Sequence, residues 1–191
     1  MIPPIAFVGV AAVGALAFSG GGTDTSSVID SSTVDPVASM LDGSDSFDSI
    51  LNYSTTDYSM STANLNAFLA VLRAGESSNQ YNALYGGGTF SDYSKFPVWS
   101  GKDNSHAAGA YQFEPATWAQ FQASLDLPDF SPASQDKAAV GLLMQQNAYT
   151  AACNGDISTC MQNLTGIWTS LAARGQSWVT AQFSAQGGTL A

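Results

Sequence analysis

The chain has 191 residues with few charges, and its 15 acidic residues outnumber its five basic residues to give a net charge of -10. A surface that binds nucleic acid needs clustered basic residues, so this balance excludes nucleic acid as a partner. All five basic residues lie at or after Arg73, whereas seven aspartates precede residue 60, so the acidity belongs mainly to the N-terminal third.

The first predicted element is an apolar segment, residues 1–18, in which the run Ile5–Phe18 has no charged side chain. The run is shorter than the roughly 20 residues that a membrane-spanning helix needs. Three interpretations stay open: a weakly hydrophobic membrane anchor, a cleaved export signal ending near Ala15-Leu16-Ala17, or a segment buried in a virion assembly. We therefore expect membrane or virion components as partners of this segment.

Residues 19–60 are rich in serine, threonine, aspartate and glycine. Such a composition buries too little apolar surface to offset the entropy of ordering, which predicts a flexible acidic linker. The expected division of the chain is an anchor-like segment at 1–18, this linker at 19–60 and a folded domain at 61–191.

The folded domain is predicted to open with a helix that starts near Ser61 or Thr62 and ends at Glu76. Apolar side chains recur at helical spacing on one face of it: Leu65, Phe68, Leu69 and Leu72. A carboxyl group placed where this apolar face ends is partly desolvated, which raises its pKa. An acid that keeps its proton near neutral pH suits cleavage of a glycosidic bond, whereas the alternative is a solvated glutamate at a helix end.

The rest of the domain is predicted as helices around one irregular lobe. Gly86-Gly87-Gly88 followed by Thr89 indicates a small hairpin. Four further helices are expected, with starts and ends marked by proline, capping residues or glycine: one from Pro115, one from Pro132 to about Asn147, one capped by Asp156, and one over about Ser177–Gln186. This pattern predicts a mainly helical α+β domain.

The two cysteines, Cys153 and Cys160, lie seven positions apart. A disulfide that closes this small loop is one interpretation, and two half-buried thiols at a helix start are the other. Together with the lone His106 they do not form a tetrahedral zinc site, so neither a metal nor another cofactor is expected.

Four blocks of sequence, in this order, resemble the phage lambda endolysin family of lysozyme-like muramidases. They are Arg73-Ala-Gly-Glu76, Phe90-Ser-Asp-Tyr-Ser94, Ser105-His-Ala-Ala-Gly-Ala-Tyr-Gln-Phe113 and Asp129-Phe-Ser-Pro-Ala-Ser-Gln-Asp136. The resemblance covers residues 66 to 190 and implies a lysozyme-like fold. It also implies a peptidoglycan lytic transglycosylase that acts on glycan strands, with Glu76 as the catalytic acid. A hydrolytic muramidase on the same fold and a non-catalytic glycan-binding protein of a virion or membrane are the alternatives.

The resemblance implies that the stretch from Gly109 to Gln112 lines the cleft near Glu76. The residues expected to contact the glycan are Tyr81, Trp99, Ser105, Gly109, Tyr111 and Gln112, of which Trp99 is chosen because a tryptophan in a loop can stack on a sugar ring. Asp92 is the candidate second carboxylate if the enzyme is a hydrolase, and its alternative role is that of a turn residue. Family members have a histidine before a proline where this chain has Phe96-Pro97, which leaves any role of that position open.

Overall fold

The computed structural model describes the backbone of residues 57–191 and the side chains from Thr62 onward. The apolar segment 1–18 and most of the linker 19–60 lie outside the described residues. The described part contains seven helices, α1 to α7, and one antiparallel pair of short strands. The helices are Asp57–Glu76, Pro115–Ser124, Pro132–Gln145, Tyr149–Asn154, Ile157–Leu164, Thr169–Arg174 and Gln176–Ala185, and the strands β1 and β2 are Ala83–Leu84 and Gly88–Thr89. None of these helices has the length and apolar character needed to cross a membrane.

Helix α1 ends at Glu76 as predicted, but it begins at Asp57 rather than near Ser61. No glycine or proline occurs between Asp57 and Gly75. The helix therefore extends to the N-terminal side of Ser61 and Thr62, although either residue could have capped its start. The predicted apolar face is buried. Val71 and Ala67, which lie off that face, are buried too, so α1 runs through the core rather than along its surface.

The predicted helix starts marked by Pro115, Pro132 and Asp156 are confirmed, and the last helix begins at Gln176, one residue before the predicted position. Pro115 and Pro132 occupy first-turn positions of α2 and α3, where their missing N–H groups cost nothing. Ser131 caps α3 by accepting from the N–H of Ser134, and Asp156 caps α5 by accepting from the N–H of Thr159. The sequence did not predict α4 and α6, which have only six residues each and depend on packing against their neighbours.

The glycine-rich lobe is the hairpin β1–β2, in which Ala83 pairs with Thr89 and Leu84 with Gly88. Backbone hydrogen bonds tie it to the loop that precedes α2. The N–H of Tyr85 donates to the carbonyl of Ala107 at 3.0 Å, and the N–H of Gly109 donates to the carbonyl of Ala83 at 2.8 Å. The hairpin and this loop therefore form one small layer beside the helices.

An aromatic cluster fills the space between this layer and the helices. Trp118 and Phe130 lie edge to face with ring centroids 4.5 Å apart, and Phe96 and Phe113 pack against Trp118. Phe96 is partly buried and lies at the edge of this cluster. Such ring contacts favour one relative orientation of the side chains, in addition to the stabilisation that comes from burying apolar area.

Gln135 of α3 is fully buried and joins three separate parts of the backbone. Its Oε1 accepts from the N–H of Ala110 at 2.8 Å, and its Nε2 donates to the carbonyls of Tyr81 at 3.0 Å and Phe130 at 2.8 Å. Gly109 has φ of +81°, and a Cβ atom there would lie 2.3 Å from Oε1 of Gln135. Glycine at this position therefore gives the loop both its turn and its close approach to the amide.

The two cysteines are free and buried, so the disulfide considered from the sequence is not formed. Each lies in its own packed environment. Sγ of Cys160 approaches the carbonyl oxygen of Ala148 at 3.9 Å, and the carbonyl of Cys153 accepts from Nδ2 of Asn64 at 3.0 Å. Burial raises the pKa of the Cys160 thiol to about 12, which keeps it in the unreactive thiol form.

We expect Gln135→Leu to destabilise the domain by about 3 kcal/mol, because it leaves up to three backbone groups without a hydrogen-bond partner, at roughly 1–3 kcal/mol for a buried group. Urea denaturation monitored by tryptophan fluorescence measures the effect. Gln145→Leu, at an exposed position of the same helix, is the matched control and should change stability little. Equal effects of the two substitutions would show that the buried amide does not stabilise the fold.

Candidate active site

Glu76 lies at the C-terminal end of α1, in an open cleft of about 810 Å³. Three parts of the chain line this cleft: the end of α1 with the turn that follows it, the hairpin from Ala83 to Thr89, and helix α6. Gln112 lines it from the loop before α2. Glu76 is the single carboxylate among the described residues that line the cleft.

Ser170 of α6 holds the carboxyl group of Glu76 by donating a hydrogen bond from its hydroxyl to Oε1. The two residues lie 94 positions apart in sequence. Gly75 permits this contact, because a Cβ atom at that position would lie 2.8 Å from Oγ of Ser170. The short side chain before Glu76 therefore brings the end of α1 against α6.

Burial raises the pKa of the Glu76 carboxyl to about 7, although hydrogen bonds from Ser170 and the positive charge of Arg174 both act to lower that pKa. Desolvation is the larger effect, as expected for a carboxyl group at the boundary of an apolar core. The carboxyl group is therefore largely protonated below neutral pH, and a neighbouring hydroxyl orients it.

A polar network one turn before Glu76 fixes the surrounding loops. Asp136 of α3 accepts from Nη1 of Arg73 at 3.3 Å, from the hydroxyl of Tyr111 at 2.5 Å and from the hydroxyl of Tyr81 at 2.8 Å. Burial is the main reason that the pKa of Tyr81 rises to about 12 and that of Tyr111 rises too, so both hydroxyls stay protonated donors. The network joins α1, the turn after it, the loop before α2 and helix α3.

The loop before α2 is closed by Glu114. Its Oε1 accepts from the hydroxyl of Ser105 at 2.5 Å, and its Oε2 accepts from the N–H of His106 at 3.1 Å. On the other side, Nε1 of Trp168 donates to the carbonyl of Tyr111 at 3.0 Å. These bonds hold Gln112 at the cleft in a left-handed conformation with φ of +51°.

Of the residues predicted to contact the glycan, Gln112 lines the same cleft as Glu76, and the others lie outside the lining of that cleft. Tyr111 is fully buried and lies along a second depression rather than the cleft, and its contact with the glycan stays a prediction. Tyr81 and Gly109 belong to the framework described above. Ser105 lines a second depression of about 600 Å³, which shares Gln112 with the cleft.

Trp99 and Asp92 lie outside the lining of the cleft. Nε1 of Trp99 donates to the carbonyl of His106 at 3.3 Å, and a contact of this tryptophan with the glycan stays a prediction. Asp92 is exposed and accepts from the N–H of Ser94 at 2.9 Å, which is the turn role named as its alternative.

Sequence reasoning missed the residues that face Glu76 from α6: Thr169, Ser170 and Arg174. No local motif marks them, since they become neighbours of Glu76 only through the packing of α6. The one signal available was Gly75, because a glycine in the last turn of an otherwise apolar helix indicates a close approach by another part of the chain.

Two solved structures of the lysozyme from bacteriophage lambda are similar to this chain. They have TM-scores of 0.61 and 0.62 at 29% and 30% sequence identity, and each match covers 68% of this chain and 97% of the lambda chain. The fold, together with a half-buried acid in a cleft beside a glycine-rich hairpin, defines a lysozyme-type enzyme that cleaves peptidoglycan.

Relatives at the level of sequence place the chain in a family. The endolysin of Escherichia phage lambda is 32% identical over 121 residues, which are 58% of this chain and 77% of that endolysin. The endolysin of Escherichia phage P2 is 34% identical over 95 residues, which are 45% of this chain and 58% of that endolysin. The model of the Endolysin family matches residues 66–189, and the chain belongs to this family of phage enzymes that act on the bacterial cell wall.

We expect Glu76→Gln to remove nearly all lytic activity, because an amide keeps the shape of the side chain but has no acidic proton, and a general acid contributes roughly 10²–10⁴-fold to the rate. Activity of the unaltered enzyme should fall as the pH rises through about 7, where Glu76 loses its proton. Turbidity loss of purified sacculi, followed across pH, measures both effects. Retention of more than about a tenth of the activity by the variant would contradict the assignment.

The same substitution should change the dependence of stability on pH. Because the pKa of Glu76 is raised from 4.5 to about 7 in the folded state, its contribution to stability is present below pH 4.5 and is lost as the pH rises through 7. Glu76→Gln cannot ionise, so it should match the unaltered protein at pH 4 and exceed its stability at pH 8. The gain is of the order of 3 kcal/mol, at about 1.4 kcal/mol for each pH unit between the two pKa values. Asp126→Asn, at an exposed position, is the control and should show no such gain.

Proposed function

We propose that the enzyme is a lytic transglycosylase, which cleaves the β-1,4 bond between N-acetylmuramic acid and N-acetylglucosamine and leaves a 1,6-anhydro-muramic end. The observation that carries this proposal is the single carboxylate in the cleft. Hydrolysis usually takes two carboxyl groups, of which the second activates water or forms a covalent intermediate. The cleft supplies Glu76 alone, and Asp92 is occupied in an exposed turn.

One carboxyl group is enough when the sugar supplies its own nucleophile. Glu76 donates its carboxyl proton to the glycosidic oxygen, and the bond between that oxygen and C1 breaks. The C6 hydroxyl of the muramic acid then forms a bond to C1, and the carboxylate of Glu76 takes the hydroxyl proton. The acid is regenerated without water.

The electrostatic effects around Glu76 favour both steps of this reaction, the donation of the proton and its later return. Burial favours the protonated form that begins the reaction, while Ser170 and Arg174 stabilise the carboxylate that forms midway. A pKa near the working pH lets one group serve as acid and then as base.

The bound glycan in one lambda lysozyme structure, a chitohexasaccharide, supports an extended sugar chain as the ligand of the corresponding cleft here. We assign contact with the glycan to Glu76 and to Gln112, a residue that lines both depressions and whose Nε2 donates to the carbonyl of Gly109 at 2.8 Å. The hydrolytic muramidase remains the second candidate, and the product distinguishes it.

We expect digestion of sacculi in ¹⁸O-labelled water to give 1,6-anhydro ends without incorporated label, because the oxygen that attacks C1 comes from the sugar. Mass spectrometry of the released muropeptides measures both properties. A hydrolytic lysozyme run in parallel should label its new reducing ends. Label at the reducing ends produced by this enzyme would establish hydrolysis and would return attention to Asp92.

We also propose that residues 1–18 hold the enzyme at a membrane or in a virion, so that it acts on the adjacent wall of the host in the periplasm. The acidic charge disfavours capture by anionic cell-wall and lipid surfaces, and tethering offsets this by raising the local concentration. A random coil of about 40 residues, the length of the segment 19–60, spans roughly 35 Å.

Accordingly, the full-length chain should fractionate with membranes or virions, whereas a chain beginning at Asp57 should be soluble and active on isolated sacculi. Ultracentrifugation followed by immunoblotting measures the distribution. A freely soluble full-length chain that retains Met1 would contradict the anchor.

A further inference from the structure

The charges that line the cleft are one acid and one base. Arg174, the last residue of α6, is the single basic side chain among the described residues of the lining. The other polar groups of the lining are neutral, and they include the hydroxyls of Ser77, Ser78 and Thr169. The cleft thus combines a fixed positive charge with neutral hydrogen-bonding groups.

Arg174 is held in place by packing rather than by an anionic partner. Its guanidinium group lies over the ring of Trp178 on α7, 4.4 Å from the ring centroid. Within the described part of the chain it forms no ion pair, in contrast to Arg73 with Asp136. Its Nε is buried without a hydrogen-bond partner, which is an unfavourable arrangement for stability alone.

Glu76 does not neutralise Arg174 in the state that starts the reaction. That state needs the carboxyl group protonated and therefore uncharged, so the guanidinium faces the cleft as an uncompensated cation. The attraction between this guanidinium and an anion on the substrate is stronger than it would be in bulk water, because protein of lower dielectric constant replaces part of the surrounding water. Glucosamine units carry no such group, whereas muramic acid carries a lactyl substituent that ends in a carboxyl group or continues into a peptide with its own carboxylates.

We propose that Arg174 is a substrate-binding residue that recognises a carboxylate on the muramic acid substituent and thereby distinguishes peptidoglycan from uncharged chitin-type glycan. The inference rests on the proposed peptidoglycan substrate. Planar guanidinium groups bind carboxylates through paired hydrogen bonds, and stacking on Trp178 orients the plane of the group. The carboxylate comes either from the peptide stem or from the free lactyl group of a stem-free strand.

Binding measured in the Glu76→Gln background of the full-length chain tests this proposal. This background prevents turnover and removes the carboxyl group whose ionisation Arg174 influences. Three soluble ligands are compared by calorimetry: a peptide-bearing muropeptide tetrasaccharide, the same tetrasaccharide with its stems removed to leave lactyl carboxylates, and chitohexaose. The added substitutions are Arg174→Met, which keeps an apolar side chain against Trp178, and Arg174→Lys, which keeps the charge.

We expect Arg174→Met to weaken binding of a carboxylate-bearing ligand about tenfold, which corresponds to about 1.4 kcal/mol, and to change the Kd for chitohexaose by less than about twofold. Arg174→Lys should recover part of the loss. A loss seen with the peptide-bearing ligand assigns the carboxylate to the stem, and a loss confined to the stem-free ligand assigns it to the lactyl group.

Lys95→Met is the matched control, because it removes one positive charge from an exposed site outside the cleft and should leave all three affinities unchanged.

Unchanged binding of both carboxylate-bearing ligands by Arg174→Met would overturn the proposal. Equal losses with all three ligands would overturn it as well, since they would indicate a general change in the cleft. If Arg174→Met fails to fold, the proposal requires Arg174→Lys alone to weaken the carboxylate-bearing ligands and not chitohexaose. The product analysis in labelled water is independent of all these outcomes.

Discussion

The position of Glu76 depends on the carboxylate of Asp136. This one group accepts hydrogen bonds from Arg73 on α1, Tyr81 in the turn after it and Tyr111 in the loop before α2. Since Arg73 lies one helical turn before Glu76, the network fixes the end of α1 against the turn that leads into the hairpin and against the loop that carries Gln112. Gln135, the preceding residue on α3, binds the backbones of the same turn and loop. Two adjacent residues of α3 thus determine how the glycine-rich lobe sits beside the acid.

The chemistry of the cleft follows from opposing electrostatic effects at a single carboxyl group. The apolar core that α1 crosses withdraws water from Glu76 and favours the neutral acid. Ser170 and Arg174, both on α6, favour the carboxylate and so limit how far its pKa rises. A carboxyl group whose pKa lies near neutral pH can both donate and accept a proton there, as the proposed mechanism requires.

The charged residues are unevenly distributed along the chain. From Asn66 onward the acidic and basic residues are nearly balanced, with eight and five, whereas the preceding residues carry acidic groups alone. The cleft itself presents one cation, Arg174, beside neutral donors and acceptors. A weakly charged cleft of this kind suits a largely uncharged sugar chain, with the few charges reserved for the acid and for a charged substituent.

The sequence by itself determined the elements whose signals are local. The apolar repeat before Glu76, the prolines at 115 and 132, the capping Asp156 and the triple glycine each act within a few residues, and each predicted a helix boundary or a turn that the structure confirms. The four collinear blocks likewise indicated the family and the acid. Only the tertiary structure decided which polar residues reach the cleft. Tyr111, which the sequence predicts as a sugar contact, is buried with its hydroxyl bonded to Asp136. Ser170 and Arg174 belong to no recognisable motif, and they lie beside Glu76 because α6 packs against Gly75. Hydrogen bonds between residues some 90 positions apart depend on the packing of whole helices, and that packing results from the combined burial of many side chains rather than from any short pattern.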